Sequence, residues 1–320
     1  MRDYQIWDHA GSVKSGRFST AQIYTSNSEL SQGRGGAGAI RFDQEGRIVD
    51  AYPILTGTST NCAGGPTPWG TWLSCEEHSD GMVYECDIYG QTQAVLCRGL
   101  GKFKHEAAAV DPVHQHIYLT EDEKDGRLYR YTPRDITSSG RMNLQQGRLE
   151  VAAVDKSGHV SWLEVPYPIP SSSAKPTRQQ VKQSRGFNGG EGIWYHEGTI
   201  YFTSKGDDCV WSYSTTDQRL GLVYDPEQSK HPILSGVDNI IVSRDGHILV
   251  AEDGGDMQIV VLGPYGDVYP LLHMVNQDHS EIAGPAITPN HDRLYFSSQR
   301  GIKNGSEANG ATYEIRGNFG

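Results

Sequence analysis

Long apolar runs are missing from this chain of 320 residues, and none reaches the roughly 18 residues that a membrane-crossing helix needs. A basic surplus is missing too: 28 Lys plus Arg stand against 39 Asp plus Glu, a formal net charge of −11. Proteins that follow nucleic-acid phosphates or anionic lipid carry stripes of Lys and Arg, so no nucleic acid and no membrane is expected as a partner. The opening Met1-Arg2-Asp3-Tyr4-Gln5-Ile6-Trp7 has neither the apolar core of a signal peptide nor a twin arginine. The chain as read is expected to be cytoplasmic, or periplasmic or secreted if a leader precedes it. Cysteine is sparse. The five residues form no CxxC pair, their odd number leaves at least one thiol free in any scheme, and a chain this long does not need disulfide staples. Cys75, Cys86, Cys97 and Cys209 are expected to be small buried hydrophobes. Helical periodicity is almost absent.

What is present is a short alternating run, a tight turn, a second such run, and a Gly or Asp break. Ala39-Ile40-Arg41-Phe42, Asp43-Gln44-Glu45-Gly46 and Arg47-Ile48-Val49 make one example. Ile240-Ile241-Val242, Ser243-Arg244-Asp245-Gly246 and His247-Ile248-Leu249-Val250-Ala251 make another. Such turns are what hairpins demand, and the fold is expected to be all-β. Polar residues flank successive hairpins at nearly constant intervals: Cys62 and Glu76-Glu77, Glu106 and Glu121-Asp122, Glu191 and Ser204, Asp238 and Glu252-Asp253. Glu281 and Ser298-Gln299 repeat the pattern at a longer interval. Repeats of about 40 to 50 residues, each a small antiparallel sheet, are the signature of a propeller. Five units plus one near residues 20–56 predict a six-bladed β-propeller in a single domain over 1–320, with five to seven blades compatible. Pro166–Gln183, rich in Ser, Pro and Lys, interrupts the pattern. It reads as a surface loop or an excursion over one face, about 166–186.

In a propeller the innermost strand of each blade lines a central channel, and the loop leading into it sits at one mouth. If Cys62, Glu106, Glu191, Asp238 and Glu281 are equivalent, they converge there, with Glu76, Glu121, Glu252 and Gln299 close by. Carboxylates gathered in a narrow funnel repel one another, and a bound cation is the usual relief. The alternative is that these acids are turn residues and strand caps, although Glu is a poor turn residue. Carboxylates and Asn239 favour a hard cation, chiefly calcium. A thiolate from Cys62 does not suit calcium and points to iron or zinc. His105, beside Glu106, is a candidate ligand or proton donor. A mixed cluster of this kind activates water and clamps an anionic substrate.

The run Asn61-Cys62-Ala63-Gly64-Gly65-Pro66-Thr67-Pro68-Trp69-Gly70-Thr71-Trp72-Leu73-Ser74-Cys75-Glu76-Glu77 resembles the hallmark of the PhoX-type alkaline phosphatases. His105–Pro112, Tyr118–Asp122, Asp238-Asn239, Ala251–Gly254, and Glu281 with Gly284-Pro285 and Ser298-Gln299 extend the resemblance over about residues 35–300. It implies a six-bladed propeller whose channel holds a metal cluster of Fe3+ and Ca2+, and hydrolysis of phosphomonoesters with some diester activity. Carried onto matching positions, iron would be held by Cys62, Glu121 and Glu191. Calcium would be shared among Glu106, Glu191, Asp238, Asn239, Glu252 and Glu281. Two departures stand out. Members usually carry an Arg-Pro-Glu before the fourth-blade carboxylate, whereas here Gly189 stands where the phosphate-gripping Arg belongs. The chain is also shorter than typical exported members.

The leading expectation is therefore a monomeric metal-dependent hydrolase of small-molecule phosphate esters. Its catalytic residues would be Glu121, Glu191, His105 and Arg185, with positive charge from Lys205, Arg185 or Arg300. A lactonase or phosphotriester-type enzyme on the same scaffold, favoured by the missing Arg, is one alternative. A non-catalytic calcium-stabilised binding propeller is the other.

Overall fold

A computed structural model describes residues 4–7 (backbone alone), 22–43, 45–301 and 310–320. Met1–Asp3 of the opening run, residues 20 and 21 of the first repeat, and Gln44 of the first hairpin turn lie outside them. Among the described residues the chain makes six antiparallel sheets taken up in sequence order, the six blades of a propeller. The innermost strands are Tyr4–Trp7, Asn61–Pro66, His105–Asp111, Gly190–His196, Val237–Val242 and Ile282–Ile287. Each is followed outward by a second strand: Gln22–Ser28, Thr71–Glu76, His116–Glu121, Thr199–Ser204, Ile248–Glu252 and Arg293–Ser298. The ring closes where the backbone of Tyr4–Trp7 packs along Ile282–Ile287. The third blade carries a fifth strand, Val160–Glu164, which the repeat pattern does not reveal.

The core is not central. It lies as six apolar wedges, one between each pair of neighbouring blades. His116–Glu121 shows why its strand is apolar throughout. Successive side chains point to opposite faces, so Ile117 and Leu119 enter the wedge toward the second blade while Tyr118 enters the wedge toward the fourth. Hairpin turns are local chemistry. Ser243–Gly246 closes with Ser243 N donating to His247 O (2.8 Å), and Gly246 takes φ +86°, which a side chain would strain. All five cysteines are buried and none is in a disulfide.

The hub is nearly solid. A Cβ on Gly65 would stand 1.8 Å from the carbonyl oxygen of Ala108, and one on Gly192 would stand 2.7 Å from Ile240 N. Glycine therefore lets neighbouring inner strands touch. The space left between Gly64, Ala107, Gly192, Asn239 and Gly284 is about 20 Å³, room for roughly one water.

Candidate metal centre

One backbone device recurs at the mouth where the inner strands begin. In the second to fifth blades two inner-strand residues stand opposite one residue of the second strand, a β-bulge. The bulged residues are Cys62-Ala63, Glu106-Ala107, Glu191-Gly192 and Asp238-Asn239. Bulges re-aim side chains, and this one turns Cys62, Glu106, Glu191 and Asp238 toward a common centre. The preceding blade pins three of them. Asn27 Nδ2 donates to Cys62 O (3.2 Å), Thr120 Oγ1 to Glu191 O (2.5 Å), and Thr203 Oγ1 to Asp238 O (2.5 Å). In the sixth blade the bulge holds Gly284-Pro285, and Glu281 precedes its strand. Glu281 is thus not the repeat equivalent of the other four; its longer interval to Ser298 is the sequence trace of that difference.

Among the described residues three groups of potential ligand atoms assemble, each with its members within 4.8 Å of one another. Glu106, Glu191 and Asp238 form the first, all buried; Asp238, Asp253 and Glu281 form the second; Glu29, Cys62 and Glu77 form the third. Asp238 belongs to two of them. Cys62 Sγ donates to Glu106 Oε1 at 2.8 Å and so links the thiol-bearing group to the first. Every blade contributes: the second supplies Cys62 and Glu77 and the fifth Asp238 and Asp253, while the first, third, fourth and sixth supply one each, Glu29 (just after Gln22–Ser28), Glu106, Glu191 and Glu281.

Glu121 and Glu252, expected among the ligands, stand outside these three groups. Both end a second strand, as does Glu76, and all three carboxylates accept from backbone amides of the surrounding loops. Glu76 takes Ser59 N (3.0 Å) and Met82 N (3.2 Å), and Glu252 takes Ser235 N (3.0 Å) and Gln258 N (2.9 Å). Glu121 takes Arg127 N (3.2 Å) and the Tyr129 hydroxyl (2.8 Å). These are strand caps, the alternative weighed for the acids as a whole. Burial pushes the carboxyls of Glu121 and Glu252 up to about 7 against the pull of those donors. The next residue along points to the other face, and there Glu29, Glu77 and Asp253 join the clusters. Asn239 stands beside them: its Nδ2 donates to Asp238 Oδ1 (2.9 Å) and its Oδ1 accepts from Gly284 N (2.5 Å). It is a bracket for a ligand.

His105 and Arg185 also depart from their expected roles. The His105 ring stacks on Phe103 with centroids 3.6 Å apart, and Nε2 lies 3.1 Å from Gly101 O. Strand alternation points it away from Glu106, into the wedge between the second and third blades. Burial lowers its pKa to about 3, so it is neutral and structural. Arg185 lies over the rings of Phe187 and Trp211, 5.4 and 4.9 Å from their centroids. Gly189, with φ +70°, bonds through its N–H to Glu123 O (2.9 Å). Neither position supplies a cation to the cluster.

The cations at the mouth come from other residues. Lys104 joins Glu77 (3.2 Å) to Asp122, Lys205 contacts Asp253, and Arg300 reaches Asp253 (3.7 Å) and Glu281 (3.4 Å). Arg178, which the sequence did not single out, comes from the excursion after the third blade. It meets Glu121 (3.5 Å), Glu123 (3.3 Å) and Asp125 (2.9 Å), while neighbouring Thr177 donates to Lys102 O (2.8 Å). The excursion therefore lies against the loop leading into His105–Asp111, on the side of the clusters.

The donor chemistry fits a metal centre. Buried carboxylates crowded from separate blades suit hard cations, and the one thiol suits a softer neighbour. A family of known proteins matches this chain: the description "Alkaline phosphatase PhoX" covers residues 12–95 and 78–224. No curated protein matches. Among solved structures, the chain is similar to Pseudomonas fluorescens PhoX in complex with vanadate, a transition state analogue. That likeness has a TM-score of 0.72 at 17% identity and covers 93% of this chain and 83% of that one. A nidogen/laminin complex (TM-score 0.56, 12% identity, 87% and 86% covered) and a luciferin-regenerating enzyme (0.54, 12%, 99% and 91%) share the fold. The family match takes in more than half of the sequence, including the bulges that carry Cys62, Glu106 and Glu191. The chain belongs to the PhoX alkaline phosphatase family.

Proposed function

We propose that the protein is a metal-dependent phosphoric ester hydrolase acting on small phosphomonoesters, with diesters as secondary substrates. The observation that carries the reading is the shared Asp238, which brings two oxygen-only ligand groups side by side where the inner strands begin. Glu106, Glu191, Asp238, Asp253 and Glu281 would hold calcium, and Cys62 with Glu29 and Glu77 would hold iron. Bound there, the metals would supply Lewis acidity and an activated oxygen nucleophile at neutral pH. The chain's own part is to fix Cys62, Glu106, Glu191 and Asp238 by bulges and to bracket Asp238 through Asn239. Net negative charge is no obstacle, because metal charge dominates locally.

The test is elemental analysis of the freshly purified protein together with turnover of a phosphomonoester, a phosphodiester and a lactone. Iron and calcium in fixed ratio with phosphomonoester turnover is the expected result. One observation favours a second reading, a lactonase or phosphotriester-type enzyme: Arg185 packs on aromatic rings and Gly189 has no side chain, so no guanidinium from this segment faces Glu191. Lactone cleavage alone would select that reading. Calcium without iron and without turnover would select a calcium-stabilised binding propeller.

A further inference from the structure

Two cationic side chains converge on one carboxylate of the ligand groups. Lys205 Nζ is in close contact with Asp253, and Arg300 Nη2 lies 3.7 Å from Asp253 and 3.4 Å from Glu281. Both carboxylates complete a ligand group with Asp238. Lys205 feels more than its nearest partner. Burial opposes its charge, and the negative charges of Asp238, Glu191 and Asp253 outweigh that burial and raise its pKa. The two backbones are fixed, since Lys205 N donates to Gly189 O and Arg300 N to Ser280 Oγ, each at 2.8 Å. The side chains remain 30% and 29% exposed at the mouth. Arg300 is also held through Nε to His279 O (3.3 Å) and through Nη1 to Gln299 Oε1, so the Lys205 ammonium is the freer of the two ends.

A metal ion taken up by Asp238, Asp253 and Glu281 would put positive charge where the ammonium and guanidinium already act. Like charges a few ångströms apart in a partly buried site repel strongly, so one set must yield. We infer that Lys205 and Arg300 are exchangeable counter-ions, neutralising the ligand carboxylates before metal uptake and turning, once displaced, to hold the anionic phosphoryl group of the substrate. This rests on the phosphoric ester reading above. Both side chains are chemically suited to that exchange, because a flexible ammonium is a movable point charge and a guanidinium fork matches phosphate oxygens. Metal and anion binding then favour one another, and the coupling is reciprocal. The lysine acts with opposite sign on the two ligands, as a competitor of the metal and a partner of the anion. A purely structural lysine would not do so.

The experiment is calorimetric titration of wild type, Lys205→Met, Arg300→Met and Lys205→Arg, first with calcium and then, after loading, with inorganic phosphate. Calcium affinity is expected to rise about three- to tenfold in each Met variant, because a competing charge is gone. Phosphate affinity of the calcium-loaded Met variants is expected to fall about 10–100-fold, the loss of one charged hydrogen bond. Lys205→Arg should recover most of it, and calcium-free wild type should bind phosphate at least about tenfold more weakly than the loaded protein. Calcium affinity that is unchanged or reduced, or phosphate affinity that is unchanged, overturns the inference while leaving the hydrolase reading intact. A wild type that takes up no metal overturns both. If Lys205→Met does not fold, Arg300→Met carries the same two expectations.

Discussion

Glu121 and Asp238 are both acidic, both buried and both at strand ends near the same mouth, yet their surroundings differ in kind. Glu121 closes a second strand and is surrounded by donors: a backbone amide, the Tyr129 hydroxyl and Arg178. Asp238 sits in an inner-strand bulge, accepts from Asn239 Nδ2 (2.9 Å) and lies among other carboxylates, Glu106 and Glu191 in one group, Asp253 and Glu281 in the other. The first arrangement satisfies a charge with protein groups and locks a loop. The second concentrates like charge, which buried sites tolerate when a cation is supplied. Burial of an acid is therefore a poor guide to function; what its oxygens meet decides.

That contrast is best broken at its two ends. Asp238→Asn removes the ligand shared by two groups while keeping volume. It should lower phosphomonoester turnover by about 10²–10³-fold and reduce bound calcium, measured by steady-state kinetics and elemental analysis. Glu121→Gln should leave the metal ratio unaltered and instead cost about 1–3 kcal/mol of stability in chemical denaturation, since the buried donors around it lose a carboxyl acceptor.

The pH dependence sharpens the same point. Glu121 and Glu252 have folded pKa values of about 7 against an ordinary value of 4.5. The folded state thus binds more protons than the unfolded state between those limits. Their contribution to stability is complete below about pH 4.5 and is lost as pH rises through about 7. For metal-free protein, stability should fall over that window, and Glu121→Gln should flatten the fall by up to roughly 3 kcal/mol. A slope identical to wild type would show that Glu121 is not held protonated by burial. The smallest effect belongs to Arg185→Ala, which forfeits its ring contacts at about 0.5–1 kcal/mol and should leave phosphate affinity and metal content as they were.

Much of the fold was legible because hairpin chemistry is local. Alternating runs, glycine turns and their recurrence specify blades, and a ring of blades specifies a hub. Cys62, Glu106, Glu191 and Asp238 were legible for the same reason, since they occupy one phase of the repeat. Glu77 and Asp253 were harder to separate from Glu76 and Glu252. Repeat intervals that vary by a residue or two do not resolve a one-residue phase, yet in a pleated strand that step reverses the face. The tandem acids Glu76-Glu77 and Glu252-Asp253 were the available signal. Glu29 carried less, because its blade's inner strand, Tyr4–Trp7, lies far back along the chain from Gln22–Ser28. Arg178 carried none, as an arginine in an irregular excursion has no periodic neighbour.

The amino-acid sequence by itself determined the all-β repeat, a ring of five to seven blades and the phase at which Cys62, Glu106, Glu191 and Asp238 recur, because turn preference and strand alternation act over a few residues. Only the tertiary structure decided which acids meet each other and which meet backbone amides. That choice depends on bulges, on the contact of one blade with the next, and on a dielectric environment created when the wedges close.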